Sequence, residues 1–369
     1  MKKKSLNLKE ILSEVQDFLG LGSKTLWGLD IGGSSVKIAA LSKLSGERYK
    51  LINYASVKLP EGTIIESEIH DPDALGKAIK ECIRKSGVSG NQVCLGLSGS
   101  GTVARRLQLA GGSEEEIEDQ LTWEAEQYLP FPLEECKYSF YVMGENEGGG
   151  VDVIVGAARN ELIDNAASVL KGIGLKVKVV DLGILALTNV FDVVASKEVE
   201  FEGQSWVILD IGSESSQMII HKNGMIVFSK EITIGGVMIT EEIQRQIGVN
   251  YQEAEELKTG GDGKGNLPEE IVGIVQEIVE LFIREIKKTI DFYITSTSDD
   301  SIVGAYLTGG GSLILGIEEK IAEEMGLEVH RLQPFNVIEY DKKKLSKEDI
   351  LEVEARGGVA LGLGMRSIQ

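Results

Sequence analysis

One device occurs twice in this chain. "WGLDIGGSSVKIAAL" (27–41) and "VILDIGSESSQMIIH" (207–221) each run an apolar strand into Asp-Ile-Gly, cross three or four small or polar residues, and restart as an alternating strand. Asp30 and Asp210 lie 180 residues apart. A single Asp-Gly turn is common in hairpins. Two copies, each opening a meander followed by helices, predict a duplicated α/β chain with a cleft between its halves.

The turns carry chemistry. Gly32, Gly33 and Gly212 can take positive φ and let backbone approach a ligand closely, and successive N–H groups in such a turn form a concave anion site. Ser34, Ser35 and Ser213 add hydroxyl donors. Asp30 and Asp210, at strand ends facing the cleft, are placed to hold a hydrated Mg²⁺, which keeps several waters and takes one or two carboxylates. Lys37 is either a phosphate-neutralising cation or an exposed strand lysine. "LTGGGS" (307–312) brings a strand through Gly309, Gly310 and Gly311 to Ser312 and a helix, a geometry that lets a flat base approach backbone. Gly235 and Gly236 open a helix after a strand. "AEELK" puts Glu255 and Lys258 on one helical face, a spacing that usually gives a solvated ion pair. "GLGSKT" (20–25) lacks the order of a phosphate-binding P-loop, and no G-x-G-x-x-G opens a helix after a strand.

Net charge is -20, which argues against nucleic-acid binding. Three cysteines, Cys82, Cys94 and Cys136, without a C-x-x-C pair, fit a reducing cytoplasm and give no zinc pattern. No apolar run approaches the roughly 20 residues that span a bilayer. "MKKK" leads into an amphipathic segment, so no signal peptide is expected. His70, His221 and His330 are scattered, and no residue has the spacing of a catalytic group.

Along the chain, 1–24 reads as an amphipathic helix that packs on the domain, on a partner or on an anionic membrane surface. Residues 25–105 form the first part of one half, and 106–180 an inserted α+β unit. A helix follows over 181–204. The second half covers 205–335, with a helical part over about 240–300, and 336–369 returns to the first half.

These residues now bear a resemblance. Two D-I-G hairpins, the G-G-G turn and the A-E-x-x-K helix resemble the actin-like ATPase superfamily, an α/β fold of two duplicated halves around a nucleotide cleft. The inserted unit is similar to subdomain 1C, which replaces actin's 1B in the FtsA and PilM families. "WEAEQYLPFPLEE" (123–135), "KVVDLGILAL" (178–187) and "EITIGGVMITEEIQRQIGVNYQEAEELKTG" (231–260) resemble the PilM family, the cytoplasmic component of the type IV pilus assembly platform. The resemblance covers about 25–369.

It implies ATP with Mg²⁺, at most weak turnover, phosphate hairpins at Asp30 to Lys37 and Asp210 to Ser216, an adenosine side at Gly309 to Ser312, and Glu255 and Lys258 near ribose and base. It further implies a PilN-like N-terminal peptide in a groove between subdomains 1A and 1C, with Trp123, Tyr128, Pro130 and Phe131 as groove or support residues. Other pilus platform proteins, a homo-oligomer and peripheral attachment to the inner membrane through partners complete the expectation. The N-terminal helix is longer than the family's lead-in, and its "SLNL" faintly resembles the PilN peptide. A division protein of the FtsA kind and a small-molecule kinase of the same superfold are the competing readings, although the substrate-side base and cysteine-rich zinc motif of such kinases are not visible.

Overall fold

In the computed structural model, which describes residues 26–44, 48–146, 148–197, 202–260 and 267–366, the first repeat becomes a three-stranded meander. Its strands are β1 (Trp27–Ile31), β2 (Ser35–Lys43) and β3 (Tyr49–Lys58), paired antiparallel. The proposed N-terminal helix and residues 261–266 lie outside the described residues.

A small hairpin follows, β4 (Ile64–Ile65) and β5 (Glu68–Ile69), then helix α1 (Pro72–Ser86) and strand β6 (Gln92–Leu97). Helix α1 begins where the sequence says it should. The Asp71 side chain accepts from Ala74 N at 2.9 Å, Pro72 fills the first turn, and Gly87 ends the helix at φ +68°.

The inserted unit comprises β7 (Thr102–Leu109), α2 (Glu114–Tyr128), β8 (Cys136–Glu145) and β9 (Val151–Arg159), with sheet order β7-β9-β8. Its first strand starts at Thr102, ahead of the Arg106 read from sequence. Helix α3 (Asn160–Gly172) and strand β10 (Lys176–Leu182) were read as part of this unit. Backbone pairing places β10 beside β6, parallel, at the edge of the first sheet, and Ala166 and Leu170 of α3 pack into the first half's core. An alternating strand carries no mark of which sheet it joins, so local pattern could not make this assignment.

Helix α4 (Gly183–Ala195) leads to the second repeat, β11 (Ser205–Ile211), β12 (Ser216–Lys222) and β13 (Met225–Ile232). Helices α5 (Gly236–Ile247), α6 (Tyr251–Lys258) and the long α7 (Glu269–Thr297) follow. Strand β14 (Ile302–Thr308) enters a 3₁₀ turn (Gly310–Leu313), then come α8 (Ile317–Met325), β15 (Glu328–Arg331), β16 (Glu339–Tyr340), α9 (Lys347–Arg356) and α10 (Gly358–Gly364).

The two large sheets repeat one plan. The first runs β10-β6-β1-β2-β3-β16 and the second β13-β12-β11-β14-β15. In each, the strand ending in Asp-Ile has its antiparallel meander on one side and a parallel strand on the other. A shared core of α4 and α10 residues, with Trp206, Ile208 and Tyr306, joins the halves. Within the first half, small residues let α10 pack closely on β1: a Cβ on Gly28 would sit 2.6 Å from Gly364 N. Among the described residues, no helix is long and apolar enough to cross a membrane.

Candidate functional site

Between the halves lies a cleft of about 850 Å³, lined by the turns that leave β1, β11 and β14. A parallel strand pair must end on one side of its sheet, and both repeats turn toward the same space. The two turns share one hydrogen bond: Gly32 N donates to Ser35 O, and Gly212 N to Ser215 O, each at 3.0 Å.

Asp30, Gly32, Gly33, Ser34, Ser35 and Lys37 line the cleft from the first hairpin, and Asp210, Gly212 and Ser213 from the second. The glycines serve differently from the expectation of positive φ, since neither Gly32, Gly33 nor Gly212 adopts it. Space is the reason instead. A Cβ on Gly33 would stand 2.8 Å from Ser213 Oγ in the opposite hairpin, and one on Gly212 would stand 2.6 Å from Ser215 O. Gly309 is the glycine that needs its freedom, with φ +81° beside Asp210 and Ile211.

Lys37 is neither exposed nor unpaired. It is buried on β2, with Nζ 3.1 Å from Asp30 Oδ2. Asp210 has no such partner at its own register position, where Gln217 stands. Burial pushes the Asp210 pKa up to about 6, the Asp30 carboxylate adds to the rise, and Lys37 opposes it. The site therefore concentrates negative charge on one compensated and one uncompensated carboxylate. Among the described residues, no group of three or more His, Cys, Asp or Glu side chains converges as a metal cage.

Gly236, Glu255, Lys258, Gly309, Gly310 and Gly311 reach the same cleft. Glu255 and Lys258 are more than a surface pair. Lys258 Nζ donates to Gly236 O (3.1 Å), to Thr240 Oγ1 (2.8 Å) and to Glu255, which also accepts from Thr240. Burial lowers the Lys258 pKa, against the pull of Glu255. The network ties α6 to the start of α5. There, Gly236 N donates to Gly212 O (3.0 Å) and Val237 N to Ser213 O (2.7 Å), so these first helical donors brace the second hairpin. Gly235 forms the N-cap of α5, packed against Ser213 and Glu214. Ser312 is buried under the turn, its hydroxyl donating to Gly309 O at 2.7 Å.

Sequence reading missed Arg356, Ser67 and Glu214, all in the cleft lining. Arg356 lies against Gly310 and pairs with Glu352 at 2.9 Å. Arg356 and Ser67 come from distant segments that carry no cleft signature, and Glu214 sits inside the second hairpin, where its spacing gave it no role of its own.

On the inserted unit, α2 covers the sheet face formed by Leu107, Val153 and Val155. Trp123, 78% exposed, and Tyr128 and Pro130, also exposed, belong to that outer side, and Phe131 is buried with Leu129, Cys136 and Ala157. The opposite face meets the first half: Ile154 packs with Leu187, Ile184 and Leu185, and a Cβ on Gly156 would touch Leu182. Tyr141, 70% exposed, is in register with Ile154 on this inner face.

A sequence profile described as type IV pilus assembly protein PilM matches residues 28–368. The solved structure described as the PilM-PilN type IV pilus biogenesis complex superposes with TM-score 0.82 at 27% identity, covering 94% of this chain and 99% of that one. The ethanolamine utilization protein EutJ from Carboxydothermus hydrogenoformans superposes at 0.55 with 14% identity, covering 95% and 98%. A diol dehydratase-reactivating factor in nucleotide-free form gives 0.52 with 10% identity, covering 92% and 98%. The last two likenesses are of fold alone. The chain has the actin-like fold and belongs to the PilM family of type IV pilus assembly proteins.

Proposed function

We propose that this chain is a nucleotide-responsive scaffold of the pilus assembly platform, binding ATP with Mg²⁺ in the cleft and a PilN-like N-terminal segment beside the inserted unit. The observation that carries the first part is the pair of Asp-Ile-Gly hairpins facing each other across one cleft, with Asp30 and Asp210 behind them. The donor set suits the cation. The Asp210 carboxylate, whose ionisation is opposed by burial and by the neighbouring Asp30, would be relieved by a hydrated divalent ion. Asp30 and Asp210 would hold it through water, and bound Mg²⁺ would supply charge neutralisation for the phosphates. Gly33 and Gly309 leave the close approach that phosphate and adenosine need, and Glu255, Lys258 and Ser312 shape the nucleoside side. At most weak turnover belongs to the same reading.

The partner reading is supported by the relative solved as a PilM-PilN complex. The segment would lie on the inner face of the inserted unit, where Tyr141 is exposed in register with Ile154, whereas Trp123, Tyr128 and Pro130 belong to the outer side. The chain would act at the cytoplasmic side of the inner membrane, peripherally, through such partners. Calorimetry of a PilN N-terminal peptide, with and without Mg-ATP, against wild type, Asp210→Ala and Tyr141→Ala tests both halves. Nucleotide-dependent binding that weakens in both variants supports the reading. Absence of peptide binding in every state sinks it.

A further inference from the structure

The small hairpin of β4 and β5 turns through Glu66 and Ser67, which both have positive φ, +50° and +68°. Two-residue hairpin turns of this hand favour Asn-Gly, and non-glycine residues hold the conformation at a cost. Something outside the hairpin must hold this one. On one side, Ser67 fills the space left by Gly99, a buried residue at φ +96° where any Cβ would overlap the serine side chain. On the other side, Ser67 N donates to Glu214 Oε2 at 3.3 Å. The Glu66 N–H also acts on that carboxylate, lowering its pKa against the rise caused by burial. Successive backbone N–H groups in such a turn make an anion cradle.

Ser67 belongs to the first half, and Glu214 to the phosphate-type hairpin of the second. Their contact spans 147 residues of sequence and crosses the mouth of the cleft, close to where Gly33 meets Ser213. The opposite side of the cleft is joined by Arg356 lying against Gly310.

We infer that the Glu66–Ser67 turn and Glu214 form a latch that holds the two halves closed at the cleft mouth and slows escape of a bound nucleoside triphosphate. The strained turn makes the latch reversible, because opening it releases the turn from its conformation. The gating half of this inference rests on the nucleotide reading above, and the closure half does not.

The test uses the full chain in two states. Without nucleotide, hydrogen exchange is read at the Ser67 amide, and a spin-label distance is read between exposed positions 80 and 256, carried as Lys80→Cys and Glu256→Cys. Glu214→Ala should speed Ser67 exchange about tenfold, the order expected for losing a charge-assisted hydrogen bond, and lengthen the distance. Ser67→Ala keeps its N–H and should leave the distance unchanged. With Mg²⁺ and a fluorescent ATP analogue, Glu214→Ala should release the analogue about five- to tenfold faster. A Ser67 amide that exchanges freely in wild type, an unchanged distance in Glu214→Ala, or equal release rates overturn the latch. A wild type that binds no analogue refutes the nucleotide reading, and the two nucleotide-free readouts then decide closure by themselves.

Discussion

Lys37 Nζ stands 3.1 Å from Asp30 Oδ2 across the first hairpin, while the position in register with Asp210 in the second hairpin holds Gln217. The duplication has kept the backbone and made the charge asymmetric. One aspartate is neutralised within the fold, and the other has no cation at its register position.

The first pair has a structural consequence. Both side chains are about nine-tenths buried, so Lys37→Met strands a carboxylate. It should cost about 3 kcal/mol in urea denaturation at neutral pH. Adding Asp30→Asn to the same chain should recover most of that loss. A single variant as stable as wild type would show the pair to be dispensable.

Asp210 predicts a pH dependence. Its folded pKa, about 6, lies above the reference value of 3.8. Ionising it therefore opposes folding: the penalty is absent below about pH 4 and complete above about pH 6. The nucleotide-free Asp210→Asn variant should exceed wild type by on the order of 2–3 kcal/mol at pH 7, and the difference should close as pH falls toward 4. Saturating Mg-ATP should stabilise wild type much more than the variant, which a thermal scan at pH 7 reads directly.

Gly309 and Gly62 separate conformation from crowding. Both have positive φ, +81° and +74°. Around Gly62 there is open space, whereas a Cβ on Gly309 would overlap Asp210 and the Ile211 backbone. Gly62→Ala should cost about 1 kcal/mol for conformation alone, and Gly309→Ala about 3 kcal/mol or more. Equal losses in the two variants would contradict the packing described at Asp210.

The three tryptophans divide cleanly. Trp27 and Trp206 are buried, and Trp123 is 78% exposed. Iodide should quench Trp123 emission almost alone, and Trp123→Ala should change stability by less than about 0.5 kcal/mol. A peptide seated on the inner face near Tyr141 should leave that quenching intact. Protection of Trp123 would move the docking surface to the outer face.

Much of the cleft was legible because it is built from local patterns. Apolar strands ending in Asp-Ile-Gly fix the hairpins, although the burial of Lys37 against Asp30 was not read from them. What hid was non-local. Nothing in "VKVVDL" says that β10 pairs with β6, because alternation describes a face and not a neighbour. Glu214 reads as a polar turn residue until Ser67 is brought to it, and Arg356 as an ordinary helix cation until Gly310 lies against it. The Glu255–Lys258 spacing was visible, but its burial under Thr240 depends on how α5 and α6 pack.

The inserted unit leaves and re-enters the first half at a single doorway. Thr102 faces Ala158, and Arg159 N donates to Gly101 O at 2.9 Å. Two chain ends held this close could be joined by a short link with β6 and β10 still in place. The unit is therefore attached as a cassette, and its surface can change while the hairpins of the cleft keep their fold. The two surfaces are then free to evolve on separate clocks.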